Sequence, residues 1–402
     1  MNSTSPVNGN SEVSGNSEVK DSVAMNSLGK SPAQNDAGLV SEAVSINGNS
    51  PVRAGRPGAK RLKNRFVNGE KAYKSGLSDL FRIIAAYLGA KREAPVPKEA
   101  IPLAPITAAE LADPSPRLYR LGHSTVLIKL DGKYLLTDPV FAERASPFRA
   151  FGPKRFHQSP IALKDLPALD AIVLSHDHYD HLDSDAIRYL AKTEARFFVP
   201  LGLGKRLTKL GVAASRIDEL DWWQSAHLGS IELTATPAQH FSGRGLFDRD
   251  QTLWASWAIR GEQARVFFSG DSGYFLGFAE IGERLGPFDV TLMETGAYNE
   301  LWRDIHMMPE ESLQAHLDVK GLVMVPIHNG TFDLALHDWF EPLERIRALA
   351  WERSVKIATP IFGEALSLQT PGQGREWWNL AMVEQAGEIP DVNTRGEILD
   401  AR

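Results

Sequence analysis

The segment Ser175-His176-Asp177-His178-Tyr179-Asp180-His181-Leu182 packs three imidazoles and two carboxylates into six residues. It follows directly on the apolar run Ala171-Ile172-Val173-Leu174, which reads as a short buried strand, so the cluster is expected on the loop at that strand's C-terminal end. In the pattern H-x-H-x-D-H, His176 and His178 can project together toward one metal ion while Asp180 and His181 turn toward a second. Zinc accepts imidazole nitrogen and carboxylate oxygen alike. The chain has no cysteine, so a metal site in it must be built from His, Asp and Glu.

Three later segments each end a strand-like run with a residue of ligand type. Thr234-Ala235-Thr236-Pro237-Ala238-Gln239-His240 delivers His240, Val266-Phe267-Phe268-Ser269-Gly270-Asp271 delivers Asp271, and Met324-Val325-Pro326-Ile327-His328 delivers His328. With the first cluster they make five histidines and two aspartates, enough for two Zn2+ ions per chain. We assign His176, His178 and His240 to one ion, Asp180, His181 and His328 to the other, and Asp271 to a bridge between them. Two such ions depress the pKa of a shared water toward neutrality and so supply a hydroxide nucleophile. Asp138 follows a strand and precedes Pro139, and is read as a carboxylate that orients a ligand histidine, with turn capping as the plainer role. His123 opens a strand near the site and is a second candidate for such support. His157, His227, His316 and His337 lack strand-end placement and are read as surface or packing residues.

Strands must aim these groups. Residues 117–121, 125–130 and 133–137 read as strands, with Asp131-Gly132 as a hairpin turn. Further strands are expected at 171–174, 196–199, 231–235, 253–259, 265–268, 290–293 and 322–326, and helices at 184–191 and 309–317, the latter with Pro309 in its first turn. Strands paired as hairpins, and others linked through helices, predict an α/β fold of two sheets sandwiched by helices.

Composition sets the frame around that domain. Of the 402 residues, 43% are hydrophobic and 23% charged, as in a soluble globular protein. Residues 1–58 are rich in Ser, Asn and Gly and are expected to be disordered. Residues 59–105 read as a basic amphipathic helix, with Ser78 as N-cap, followed by a Pro-rich linker. The catalytic domain is expected over 106–370, and 371–402 reads as a polar, peripheral tail. The net charge of -6 is uneven: residues 59–92 carry +7, residues 1–58 carry -1, and the remaining 310 carry -12. An acidic body argues against nucleic acid as a partner. The basic helix suits either peripheral contact with an anionic membrane through residues 59–92 or ordinary packing on the domain. The N-terminus lacks the features of a signal peptide and no apolar run approaches 18 residues, so the expected location is cytoplasmic, at most peripheral on a membrane.

From about residue 61 to 365 the chain resembles the metallo-β-lactamase superfamily, and within it the N-acylphosphatidylethanolamine-hydrolysing phospholipase D branch. The resemblance rests on Arg65-Phe66-Val67-Asn68, Leu121-Gly122-His123-Ser124-Thr125-Val126, Leu136-Thr137-Asp138-Pro139, Phe151-Gly152-Pro153-Lys154-Arg155-Phe156, Glu219-Leu220-Asp221-Trp222-Trp223, Gly270-Asp271-Ser272-Gly273-Tyr274 and His328-Asn329-Gly330-Thr331-Phe332. It implies a four-layer αβ/βα sandwich and a dizinc phosphodiesterase that releases N-acylethanolamine and phosphatidic acid from a phospholipid. It also supports His306 as the residue that binds substrate or acts as general acid, beside Asp180 and Asp271 as catalytic groups. The chain departs from that branch at Met293-Glu294-Thr295, Ile305 and Asn329, positions expected near the substrate. The alternatives are a lactonase or other small-ester hydrolase of the same fold and, in another class, a non-catalytic membrane-associated scaffold. A di-iron oxidoreductase fits less well, because position 178 is His where such sites carry a carboxylate. A homodimer is left open.

Overall fold

The computed structural model describes residues 58–71, 77–148, 150–245 and 247–381. The expected disordered region therefore lies outside the described residues apart from Gly58. The chain begins with β1 (Arg61–Leu62), β2 (Arg65–Phe66) and α1 (Leu77–Gly89), then α2 (Ala108–Ala112). Next come β3 (Arg117–Arg120), β4 (Val126–Leu130), β5 (Lys133–Thr137), β6 (Ala171–Val173), α3 (Ser184–Leu190), β7 (Arg196–Pro200), α4 (Gly204–Lys209) and β8 (Ile217–Leu220). The second half runs β9 (Ser225–Leu228), β10 (Ile231–Thr236), β11 (Ser256–Arg260), β12 (Arg265–Phe268), α5 (Gly277–Leu285), β13 (Phe288–Glu294), α6 (Pro309–Asp318) and β14 (Gly321–Ile327). It closes with α7 (Glu341–Glu352), β15 (Leu366–Ser367) and α8 (Trp377–Leu380).

Two sheets face each other. One has the order β15-β3-β4-β5-β6-β7-β8, the other β14-β13-β12-β11-β10-β9. Each is part antiparallel and part parallel: β5 to β8 run parallel in the first, and β12 to β14 in the second. Val126, Ile128, Leu135, Ala171, Leu233, Trp257, Phe268, Leu292 and Val325 fill the space between the sheets. Alternate residues of the same strands, such as Leu127, Leu136 and Ile172, point the other way and meet Ile187 and Leu190 of α3 and Leu207 of α4. Phe267, Met293 and Met324 do the same against α5, α6 and α7. The result is the expected αβ/βα sandwich. The Asp131-Gly132 turn forms with both residues at positive φ, as a tight two-residue hairpin requires.

The fold differs from expectation at both ends. Phe66 is buried in the layer between the sheets, and the backbone N–H of Phe66 donates to the Asp250 carbonyl at 2.7 Å. The basic segment thus begins as part of the domain rather than as an appendage. Ile101 is buried, and Ala104 N–H reaches the Phe362 carbonyl at 2.9 Å, so the Pro-rich stretch is laid along the domain and no boundary falls at 106. The tail is likewise not peripheral where it is described: Trp377 and Trp378 are buried with Ile101, Trp339 and Phe362, because two indoles carry too much apolar area to leave in water. Residues 253–255 are a buried loop rather than the start of a strand. There the backbone bonds elsewhere than to a sheet neighbour, Leu253 N–H to the Leu201 carbonyl at 2.8 Å and Ala255 N–H to the Ser175 carbonyl at 3.0 Å. Strands β8 and β9 and helices α5 and α7 were not anticipated, the two strands being four-residue edge segments without a clear alternation.

α1 packs on the domain through Ile83, which meets the cluster of Trp302, Ile305 and Ala335, and through the Tyr87 hydroxyl, which donates to the Leu334 carbonyl at 3.2 Å. Phe81 and Leu88 stay 69% and 85% exposed. Among the described residues no helix is long and apolar enough to cross a membrane.

Candidate metal centre

The parallel strands of both sheets end on one edge of the sandwich, and the chemistry lies there. β6 delivers His176, His178, Asp180 and His181; β10, β12, β13 and β14 end just before or at His240, Asp271, Glu294 and His328. Local backbone makes the close approach feasible. Gly270 has φ +56, and a Cβ there would come within 2.6 Å of the Ser175 side chain. Gly273 lets the 302–306 loop pass, since a Cβ would lie 2.2 Å from the Asp304 carbonyl oxygen. Asp138 and His328 also hold positive φ, +30 and +63, the kind of strained backbone that persists where surrounding structure over-determines it.

Among the described residues three groups of ligand-type atoms form, the third made by Asp271, Glu294, His306 and His328. In the first, His176 Nε2 and His240 Nε2 lie 2.8 and 3.2 Å from His178 Nδ1. In the second, Asp180 Oδ2 lies 3.4, 3.6 and 3.5 Å from the Nε2 atoms of His123, His181 and His328. Asp271 Oδ2 stands between them, 3.0 and 3.1 Å from His181 and His328 and 3.8 Å from both His176 and His240. The structure thus brings together all seven residues named as ligands, and adds His123 to the second group.

The donor set fits divalent cations. One imidazole nitrogen cannot satisfy two others as a hydrogen-bond partner, and His181 Nε2, His328 Nε2, Asp271 Oδ1 and both His123 nitrogens are buried without a well-aligned hydrogen bond. Three of the other ring nitrogens are tied down, which fixes the tautomers of those histidines, while His328 Nδ1 has no hydrogen bond. His181 Nδ1 faces Asp138 Oδ2 at 2.6 Å, His240 Nδ1 the Ile305 carbonyl at 2.9 Å, and His176 Nδ1 the Ser175 hydroxyl at 2.9 Å. Asp138 also accepts from Ser175 N–H at 2.7 Å and Ser175 O–H at 2.6 Å, so His181 and Ser175 share one carboxylate. Burial holds His176 and His240 well below the ordinary imidazole range, with repulsion from His178 adding to it, and they stay neutral. Burial also disfavours the cations of His181 and His328, but Asp271 and Asp180 outweigh it; His181 goes well above its ordinary value and His328 to about 10.

His306 lies on the loop before α6, with its ring 5.1 Å from that of His240 and 5.4 Å from that of His328. Its Nδ1 is paired with Glu294 Oε1, and Glu294 Oε2 accepts from Ser272 N–H at 2.7 Å. Sequence reasoning registered Glu294 only as a departure from a related pattern. Its signal was available, a carboxylate closing an apolar strand as Asp271 does. Asn68 was missed too: its Oδ1 accepts from His240 N–H at 3.0 Å and its Nδ2 donates to the His240 carbonyl at 2.9 Å, so the strap after β2 clasps a residue of the first group. Of the other departures, Ile305 packs against Ala297 and Trp302, and Asn329 turns to Arg120; neither side chain is directed at the reacting groups. His157 and His316 are buried packing residues.

Residues 133–329 match the family model of a beta-lactamase superfamily domain. An uncharacterized protein of Mycobacterium tuberculosis is 45% identical over 78% of this chain and 86% of its own length. The N-acyl-phosphatidylethanolamine-hydrolyzing phospholipase D 1 of Caenorhabditis elegans is 35% identical over 75% of this chain and 91% of its own. Among solved structures, the isothiocyanate hydrolase from Delia radicum gut bacteria shares the fold, with a TM-score of 0.51 and 20% identity over 62% of this chain and 98% of that one.

Proposed function

The chain belongs to the metallo-β-lactamase superfamily and is a metal-dependent hydrolase, and from that premise we propose that it is a phosphodiesterase of phospholipase D type acting on N-acylphosphatidylethanolamine-like lipids. The observation that carries the reading is the pair of ligand groups sharing Asp271 Oδ2, in a chain aligned over nine tenths of the nematode phospholipase. His176, His178 and His240 would hold one zinc ion, Asp180, His181 and His328 the second, with Asp271 common to both. Two ions so held supply Lewis-acid stabilisation of phosphoryl charge and a water acidic enough to ionise near neutrality.

The chain's own groups then have distinct work. A new P–O bond forms to the water oxygen, the P–O bond to the ethanolamine oxygen breaks, and the leaving oxygen takes a proton. His306 is the donor: Glu294 holds its Nδ1, which leaves Nε2 as the exchangeable edge. Asp138 keeps His181 in the ligating tautomer. The exposed Phe81 and Leu88 of α1 give a lipid surface something apolar to receive.

The test is hydrolysis of N-acylphosphatidylethanolamine vesicles by the zinc-loaded protein, with phosphatidic acid detected and Asp271→Asn as control. Release that disappears in the variant supports the reading. If there is no release from a protein with two zinc ions bound, while a soluble lactone or phosphodiester is cleaved, the lipid assignment fails and the hydrolase stands.

A further inference from the structure

Behind the second ligand group two guanidinium groups are buried with no carboxylate against them. Arg120, at the end of β3, is 0% exposed, and Arg155 is 5% exposed. Arg120 Nη2 donates to Asn329 Oδ1 at 3.1 Å and its guanidinium lies over the Phe362 ring, while Nε and Nη1 have no acceptor. Arg155 has one long contact, from Nη1 to the Val140 carbonyl at 3.5 Å, and its Nε and Nη2 have none. Asp183 acts on Arg155 only at a distance, since its oxygens are taken by the N–H groups of Phe141, Ala142, Asp185 and Ala186.

The two arginines share one region. Arg155 Nη2 abuts Gly122, where a Cβ would fall 2.9 Å away, two residues beyond Arg120. Phe156 N–H bonds the Thr331 carbonyl at 2.8 Å, two residues beyond Asn329. His157 packs on Phe362, the ring that Arg120 also covers, and its Nε2 meets the Thr331 hydroxyl at 3.2 Å. Burial, with both arginines adding, holds His157 at about 3, so it is neutral and in the field of both. Arginine does not escape burial by deprotonating at neutral pH; burial brings Arg120 only to about 9 and Arg155 to about 10. Unpaired buried charge is costly, and four N–H-bearing nitrogens without acceptors add to it.

We propose that Arg120 and Arg155 together hold one small inorganic anion of halide size, enclosed by the end of β3, the turn at Phe156 and His157, and the loop from Asn329 to Thr331. A small ion suits the donor set, because each arginine is buried and has only two nitrogens left without an acceptor. The site braces two residues of the second ligand group, because Gly122 precedes His123 and Asn329 follows His328. It does not depend on which substrate the enzyme takes.

Bromide is the probe. Crystals of the full chain grown in sodium bromide should show an anomalous peak at the bromine edge within about 3.5 Å of nitrogens from both arginines. Ordered water in that place, or bromide only at the metal ligands, overturns the proposal. In solution, at equal ionic strength and fixed zinc, chloride should raise the melting midpoint over gluconate by on the order of a few degrees, saturably. Arg120→Met and Arg155→Met should each lose that difference. Equal midpoints of the wild-type chain in the two salts would also overturn it, and that comparison does not require either variant to fold.

Discussion

Asp138→Asn isolates the support of a single ligand. Asp138 is fully buried and serves Ser175 N–H at 2.7 Å, Ser175 O–H at 2.6 Å and His181 Nδ1 at 2.6 Å. Asparagine keeps the volume, and its carbonyl oxygen can still serve the Ser175 N–H. Its NH2 then stands where Oδ2 stood, against His181 Nδ1. A neutral imidazole that accepts at Nδ1 carries its proton at Nε2, the atom 3.0 Å from Asp271 Oδ2, and a protonated nitrogen cannot ligate. Restoring the ligating tautomer forfeits a hydrogen bond of the charged class, worth about 1.5–3 kcal/mol, or roughly 10- to 150-fold in affinity. That overlaps the 10- to 100-fold range typical of outer partners of ligating histidines. With zinc bound to both ligand groups as proposed, competition with a chromophoric chelator should show the ion at the His181 group weakened by about that factor, with the other little changed and far-UV circular dichroism intact. An unchanged chelator midpoint for both ions would refute the tautomer argument.

Glu294→Gln should lower kcat by about 100-fold on a diester with an alkyl leaving group, and much less on a p-nitrophenyl ester, which leaves without a proton; equal losses on both would reduce Glu294 to a shape-keeping role. Phe66→Ala should cost about 3–5 kcal/mol in urea unfolding, whereas a loss under about 1 kcal/mol would show that the β1–β2 hairpin is not part of the core. In the metal-free protein His181 and His328 are held protonated by Asp271 and Asp180, so zinc binding near pH 7.5 should release protons, read by calorimetry in buffers of different ionisation enthalpy. The sign for stability follows: with both folded values raised, the contribution is complete below about pH 6.5 and is lost as pH climbs toward the value of about 10 for His328. A metal-free melting midpoint that rises across that range would contradict it.

Most of the candidate centre was legible in the chain because its ligands sit where strands end, and strands announce themselves by short apolar runs. H-x-H-x-D-H after Ala171–Val173, and single ligands after β10, β12 and β14, needed only local pattern and donor chemistry. The two-sheet architecture followed from the same runs. What stayed hidden depended on contacts between residues far apart in sequence. Asn68 reaches His240 across 172 residues, and Arg120 reaches Asn329 across 209; no periodicity carries such a pairing. The basic N-terminal segment and the C-terminal tail looked peripheral because their few apolar residues, Phe66, Ile101, Trp377 and Trp378, are scattered among polar ones. By itself the sequence determined which residue types end which strands, since side-chain chemistry and local alternation are written in order along the chain. Only the tertiary structure decided that Glu294 would hold His306, that Asp271 would stand within 3.8 Å of four histidines, and that two arginines would be buried unpaired. Those outcomes are set by how the two sheets pack face to face and bring their strand ends together, and packing is a property of the whole fold.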